Sequence, residues 1–257
     1  MKIYRSRALG SMLALALFAA APSAMGQDDS KAWLGSSPAL DQLKQGFVAM
    51  GEDAFETALD HYRSALENAN TRELRFQALV GMGSAEAALG RLEDARQSFD
   101  QALEIKPENP EILYAAGMVA KDQELFETAA ELFARAAVRK PDFGEALTQL
   151  GVVYAFQGRH EESAAACWRA VSVSPQDVGA LLCLGVARYH LGLYTQAAQA
   201  FETVVEIDPQ NSHARYSLGL CRLYKEDPDG ALTEYVALKD LDPELARDLY
   251  NRIFATP

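Results

Sequence analysis

Five columns of small, aromatic and proline residues recur along this chain at a fixed spacing, and that repeat limits the fold more than any local motif does. Ala58, Ala95, Ala129, Ser163, Ala197 and Ala231 are separated by 37 residues and then by 34 four times. Gly46, Gly83, Gly117, Gly151, Gly185 and Gly219 keep the same steps, as do Tyr62, Phe99, Phe133, Cys167, Phe201 and Tyr235. Ala65, Ala102, Ala136, Ala170, Val204 and Leu238 form a fourth column. Pro107, Pro141, Pro175, Pro209 and Pro243 close the units, with Asn70 in that place in the first.

Within a unit the apolar residues fall at helical intervals. In GRLEDARQSFDQALEIKP, Gly90 to Pro107, the residues Leu92, Ala95, Phe99, Ala102 and Leu103 are three or four apart and share a face. A helix this short is marginal alone and needs a partner for that face. The glycine and alanine columns predict a close approach of two helix backbones, with the aromatic column filling the space beside the crossing. Each buried aromatic is worth about 1.5–3 kcal/mol. Proline ends the second helix because it cannot continue the hydrogen-bond ladder. In ENPEIL, Asn109 is placed to cap the following helix and Pro110 suits its first turn.

The column order resembles the tetratricopeptide repeat (TPR) family: glycine in a first helix, then alanine, aromatic, alanine and proline in a second. The resemblance runs from Ala39 to Leu245. It implies an all-α fold of α-solenoid type, a right-handed superhelix of six helix–turn–helix units over about 39–72, 76–109, 110–143, 144–177, 178–211 and 212–245. Ser163 and Cys167 depart from the pattern in the fourth unit, and three extra residues precede the second. After Pro243, ELARDLYNRIF puts Leu245, Leu249 and Ile253 on one stripe and Arg247, Asp248, Asn251 and Arg252 elsewhere. That is the pattern of a C-terminal capping helix, over 244–257, that covers the last apolar face.

The first residues are of another kind. Lys2, Arg5 and Arg7 precede an apolar run from Ala8 to Ala21, then PSAMG, with Ala24 and Gly26 placed for cleavage before Gln27. This reads as a signal peptide over 1–26, because the run is short for a membrane span, with an uncleaved anchor as the alternative. The expected product is exported, periplasmic or secreted, with no membrane span in the mature chain. Residues 27–38 read as a linker, in which Trp33 and Leu34 are placed to fold back over the first unit.

A net charge of −12 argues against nucleic acid as the main partner. Cys167, Cys183 and Cys221 show neither metal-type spacing nor an even disulfide framework. An oxidising compartment would allow one bridge and one free thiol. Each cysteine lies in an apolar helical stretch, however, so the expectation is three small buried side chains without a bridge. No catalytic constellation, metal site or cofactor motif emerges. GRHEES, Gly158 to Ser163, lacks the second histidine of a zinc-protease helix, and His160 falls in a turn where an exposed polar residue is expected. His190 and His213 lie near opposite ends of helices in adjacent units with no third ligand. Acid pairs such as Glu93–Asp94 and Glu161–Glu162 sit near the starts of second helices, where the helix dipole favours them.

The family resemblance also implies that the first helix of each unit lines a concave face. The candidate groove residues are then Leu40, Leu43, Phe47 and Met50; Tyr114 and Met118 with Lys121; Val152 and Phe156; Leu182, Val186, Tyr189 and His190; and Tyr216, Leu220, Leu223 and Tyr224. The stretch VGALLCLGVARYHLGLY, Val178 to Tyr194, is apolar almost all round, so it must be buried on both sides or meet a ligand. Its chemistry differs from the Lys/Asn-rich grooves with which other members of the family hold a C-terminal carboxylate. A contiguous apolar concavity of this kind suits an amphipathic helix or extended segment of a protein partner. The expected role is a non-enzymatic scaffold supporting an envelope complex. Two alternatives stay open: the stripe is filled by the chain's own packing, or by a second subunit in a homodimer or self-assembling structural protein.

Overall fold

Side-chain caps set the starts of most first helices. Ser37, Thr71, Asn109, Asp177 and Asn211 each accept a hydrogen bond from the backbone N–H three residues on, at 2.9–3.2 Å. Each such cap is worth about 1 kcal/mol. Asn109 and Pro110 thus act as expected, and Pro38 opens the first helix in the same way.

A computed structural model describes residues 37–254. The expected signal peptide, its cleavage site, and Trp33 and Leu34 lie outside the described residues. Among the described residues there are thirteen α-helices and no strand. They are α1 (Pro38–Gly51), α2 (Phe55–Glu67), α3 (Arg72–Ala88), α4 (Leu92–Ile105), α5 (Pro110–Asp122), α6 (Phe126–Arg139), α7 (Gly144–Phe156), α8 (His160–Val173), α9 (Val178–His190), α10 (Tyr194–Ile207), α11 (Ser212–Tyr224), α12 (Pro228–Leu241) and α13 (Pro243–Phe254). The chain divides after Lys140 into two compact blocks. In the N-terminal block, α1 to α6, each helix packs against the next, and first helices also touch the following first helix. The C-terminal block, α7 to α13, is built in the same manner. This is the all-α, solenoid-type stacking of helical hairpins expected from the repeat. The extra residues ahead of the second unit lengthen α3, which has 17 residues where other first helices have 13 or 14.

Each hairpin turns on one residue with left-handed backbone. Asp53, Gly90, Glu124, Gly158, Gly192 and Glu226 have φ between +57° and +76° and stand in one column of the repeat. Glycine takes this conformation freely, whereas an L side chain costs about 1 kcal/mol or more.

The glycine column has a different cause from the one expected. A Cβ on Gly83, Gly117 or Gly185 would meet the ring of Phe99, Phe133 or Phe201 at 2.8, 2.8 and 2.6 Å. Glycine therefore makes room for the aromatic ring of its own hairpin, not for a second backbone. Those three rings are fully buried, as are the column alanines Ala95, Ala129 and Ala197.

The C-terminal block breaks this rule twice. In its first hairpin the ring column holds Cys167, whose sulfur is bonded to that of Cys183 on α9, with a Cα–Cα separation of 5.9 Å. Both sulfurs lie under Gly151, where other hairpins keep a ring. The expectation of no bridge is thereby corrected: the small Cys167 leaves a space that only a side chain from the next helix reaches. Cys221 stays free and buried, its thiol pushed up to about 12 by desolvation. In the last hairpin Leu249 of α13, at 2.6 Å from an added Cβ, fills the space at Gly219. Tyr235, the column aromatic, turns instead to the ring of Tyr250 at 5.3 Å.

Candidate functional site

In the N-terminal block the first-helix stripe turns inward. Leu40, Leu43 and Met50 are buried in the core with Ala58 and Leu59, and Phe47 packs partly buried against them. Met118 is also buried, with Lys121 Nζ 3.4 Å from its sulfur. Tyr114 lies half-buried, its ring 5.7 Å from that of Phe133. Met50 and Met118, at 1 % and 7 % exposure, are thus core side chains, placed in the packing instead of at a surface a partner could touch. In α3 the stripe offers Val80, Ser84, Ala87 and Ala88, which are buried and short.

The C-terminal block differs. Phe156, Val186 and Tyr224 are 67 %, 37 % and 54 % exposed, and His190 is exposed beside them. Val152, Leu182 and Tyr189 are half-buried on the same first helices. Tyr189 lies at the centre of an aromatic cluster, with ring centroids 5.6 Å from Tyr194 and 5.7 Å from Tyr224. Tyr194 and Tyr224 stack at 4.5 Å. Burial and a hydrogen bond with Tyr224 raise the Tyr189 phenol far above its ordinary value, so it stays neutral. Edge-to-face and offset pairs of this kind hold one another in place.

Tyr216, Leu220 and Leu223 are half-buried because α13 covers them, packing Leu249 and Ile253 against the stripe. The Tyr216 hydroxyl donates to Asp248, and this bond together with Arg252 holds the Asp248 carboxyl below its ordinary range. Behind the stripe, buried Glu234 of α12 accepts from Arg215 and Arg222 of α11, both at 3.0 Å. This clamps the two helices of the last hairpin together.

Two members of the site lie outside the first-helix rule. Tyr194 opens α10, a second helix, so a stripe drawn on first helices alone omits it. His160 is the first residue of α8, half-buried, and its ring stacks on His190 at 4.6 Å. The expected exposed turn histidine is therefore corrected. Neither sequence spacing nor composition marks this pair, since the two residues are a hairpin apart. Burial, and then the neighbouring His160, lower the His190 pKa. Among the described residues no group of three or more His, Cys, Asp or Glu is disposed to hold a metal. No helix among them is long and apolar enough to cross a membrane.

Comparison with known families matches a TPR repeat model over residues 83–123 and a tetratricopeptide repeat model over 114–178, 163–212 and 182–246. A comparison with curated proteins finds no match. Among solved structures the chain is similar to YrrB, described as a TPR protein with an unusual peptide-binding site. The TM-score is 0.66 at 24 % identity, covering 74 % of this chain and 97 % of that one. The pilF protein of Pseudomonas aeruginosa superposes with a TM-score of 0.71 at 17 % identity, covering 84 % of this chain and 97 % of that one. A tetratricopeptide repeat protein from Parabacteroides merdae gives 0.69 at 16 % identity, covering 84 % and 85 %. At these identities the likeness concerns the fold alone, and the repeat models span most of the chain. The chain belongs to the tetratricopeptide repeat family.

Proposed function

We propose that this chain is an exported, non-enzymatic scaffold whose C-terminal block docks a protein partner in support of an envelope complex. The observation that carries the reading is the exposure of Phe156, Val186 and Tyr224 on successive first helices, with Tyr224 part of the Tyr189–Tyr194–Tyr224 cluster. Large apolar side chains gathered at one surface of a soluble fold mark an interaction site more often than they mark accident. Tyrosine suits such a site because it brings a large rigid contact area and a polar edge. The peptide binding described for YrrB, and the basic and apolar segment over 1–26, are in keeping with the reading. An amphipathic helix or an extended segment fits a stripe formed by side chains of α7, α9 and α11.

The test is site-specific photocrosslinking in cells, with the probe at Tyr224 and a control at exposed Gln199 on α10. Tyr224 is preferred to Leu220, whose replacement would disturb the packing of α13. Capture of one discrete foreign protein from Tyr224 and not from Gln199 is expected. Capture of a second copy of the chain would replace this reading with self-assembly, and absence of any adduct would count against docking altogether.

A further inference from the structure

The 34-residue step carries past the sixth unit. From Leu182 and Tyr216 it reaches Tyr250, and from Val152, Val186 and Leu220 it reaches Phe254. We infer that α13 is a working part of the docking stripe as well as a cap, and that the stripe receives an apolar peptide segment bearing carboxylates. The inference rests on the docking reading above.

Two observations carry it. The first is that α13 is anchored on one face and aromatic on the other. Leu249 fills the space at Gly219, and Ala246 and Ile253 are buried with it. Tyr250 and Phe254 remain 44 % and 56 % exposed, with their rings 4.5 Å apart and Tyr250 braced by Tyr235. A helix that only ended the stack would present polar side chains there.

The second observation is the sign of charge. The chain has 36 acidic residues, yet α9 and α11 contain none. The column that opens the stripe runs from exposed Glu145 on α7 to Gly179, then His213 and then Arg247, so its charge changes sign towards α13. Arg247 is exposed and in no ion pair among the described residues. Asp248, which reaches the stripe, is already engaged by the Tyr216 hydroxyl and by Arg252 at 2.7 Å. On α9 and α11 an acidic protein has therefore kept carboxylates off this face, and Arg247 adds a positive charge at its α13 end. A ligand carboxylate placed beside Arg247 gains an attraction that a ligand ammonium there would not, and the rest of the protein's charge is largely screened beyond about 8 Å.

The experiment is fluorescence anisotropy with the full chain and two amphipathic helical probes of about 18 residues. They share Leu and Phe on the apolar face and carry either Glu or Lys on the polar face. The Glu probe is expected to bind, and Tyr250→Ser with Phe254→Ser to weaken it about tenfold without loss of helical circular dichroism. Arg247→Glu is expected to weaken the Glu probe and strengthen the Lys probe. Binding that is lost in Tyr224→Ala but unchanged in the α13 variants would keep the docking reading and overturn the extension. Equal or better binding of the Lys probe would overturn the carboxylate chemistry. Binding of neither probe, or binding indifferent to Tyr224→Ala, would overturn both readings. A dimer by sedimentation that the α13 double variant dissolves would assign the face to a second copy instead.

Discussion

The two blocks are built on one set of columns, yet one has turned its large side chains inward and the other has left several at the surface. In the N-terminal block each hairpin plugs its own glycine with its own ring, from Tyr62, Phe99 or Phe133. The first-helix stripe is then core, and the hairpins are linked outside by ion pairs such as Arg91–Glu56 and Arg135–Glu108. In the C-terminal block only Phe201 follows that rule. The other two spaces draw on the following helix: Cys183 joins Cys167 beneath Gly151, and Leu249 fills the space at Gly219. The consequence is plain in the last hairpin: once Leu249 fills the space at Gly219, Tyr235 is released to support Tyr250 at the surface. A repeat can thus turn a packing residue into a surface residue by borrowing its plug from a neighbour.

A buried polar pair makes the same point. Glu86 and Ser98 meet in the second unit, with the hydroxyl donating to the carboxylate at 2.7 Å. Four steps of 34 residues later the same two columns hold Arg222 and Glu234, an ion pair completed by Arg215. The framework supplies the site, and each unit meets its polar cost differently.

The contrast is open to attack at its strongest point first. Phe133→Ala is expected to destabilise the N-terminal block by about 4 kcal/mol, since it empties a closed site with no helix to refill it. Amide hydrogen exchange read by mass spectrometry would localise the loss to α5 and α6; a loss spread evenly over both blocks would break the comparison. Next in size, Cys167→Ala with Cys183→Ala removes a bridge closing a 16-residue separation and should cost about 3 kcal/mol. Trp168 fluorescence in urea reports it, and Cys167→Phe with Cys183→Ala should recover part of the loss by restoring a ring under Gly151. A smaller gain is expected at the turns. Glu226→Gly removes a left-handed L residue and should stabilise the C-terminal block by about 1 kcal/mol, seen as a raised urea midpoint.

The last effect is a pH dependence confined to the N-terminal block. Burial raises the Glu86 carboxyl above its ordinary value, outweighing the Ser98 hydrogen bond. The folded state therefore holds this proton more tightly than the unfolded one, so the contribution is present at low pH and is lost as pH rises through the raised value. Glu86→Gln should accordingly raise the thermal midpoint at pH 7, by a margin that shrinks as the solution is acidified. A margin that grows on acidification would show that the hydrogen bond dominates.

Much of this molecule was legible as a pattern. The 34-residue columns announce hairpins, and ENPEIL announces a cap that Asn109 supplies. The Leu245, Leu249 and Ile253 stripe announces a final helix, and α13 forms there. These follow from sequence because they depend on local spacing, on the proline and capping chemistry of a few adjacent residues, and on periodicity. The candidate site was legible only in part. Phe156, Val186 and Tyr224 stand out at the surface, but Met118, from the column of Val186, and Met50, from that of Tyr189, are core. Tyr194 and His160 escaped because they start second helices.

What the sequence by itself determined is therefore the unit: which residues are helical, where helices stop, and which column each side chain occupies. What only the tertiary structure decided is the occupant of each space and the fate of the side chain it displaces. Cys183 beneath Gly151, Leu249 beneath Gly219 and His160 stacked on His190 all come from a neighbouring helix. The physical reason is that a column fixes direction along one helix, whereas burial is a property of what another helix places against it. That second helix lies a loop away in sequence, and its side chain is chosen by the volume left to fill.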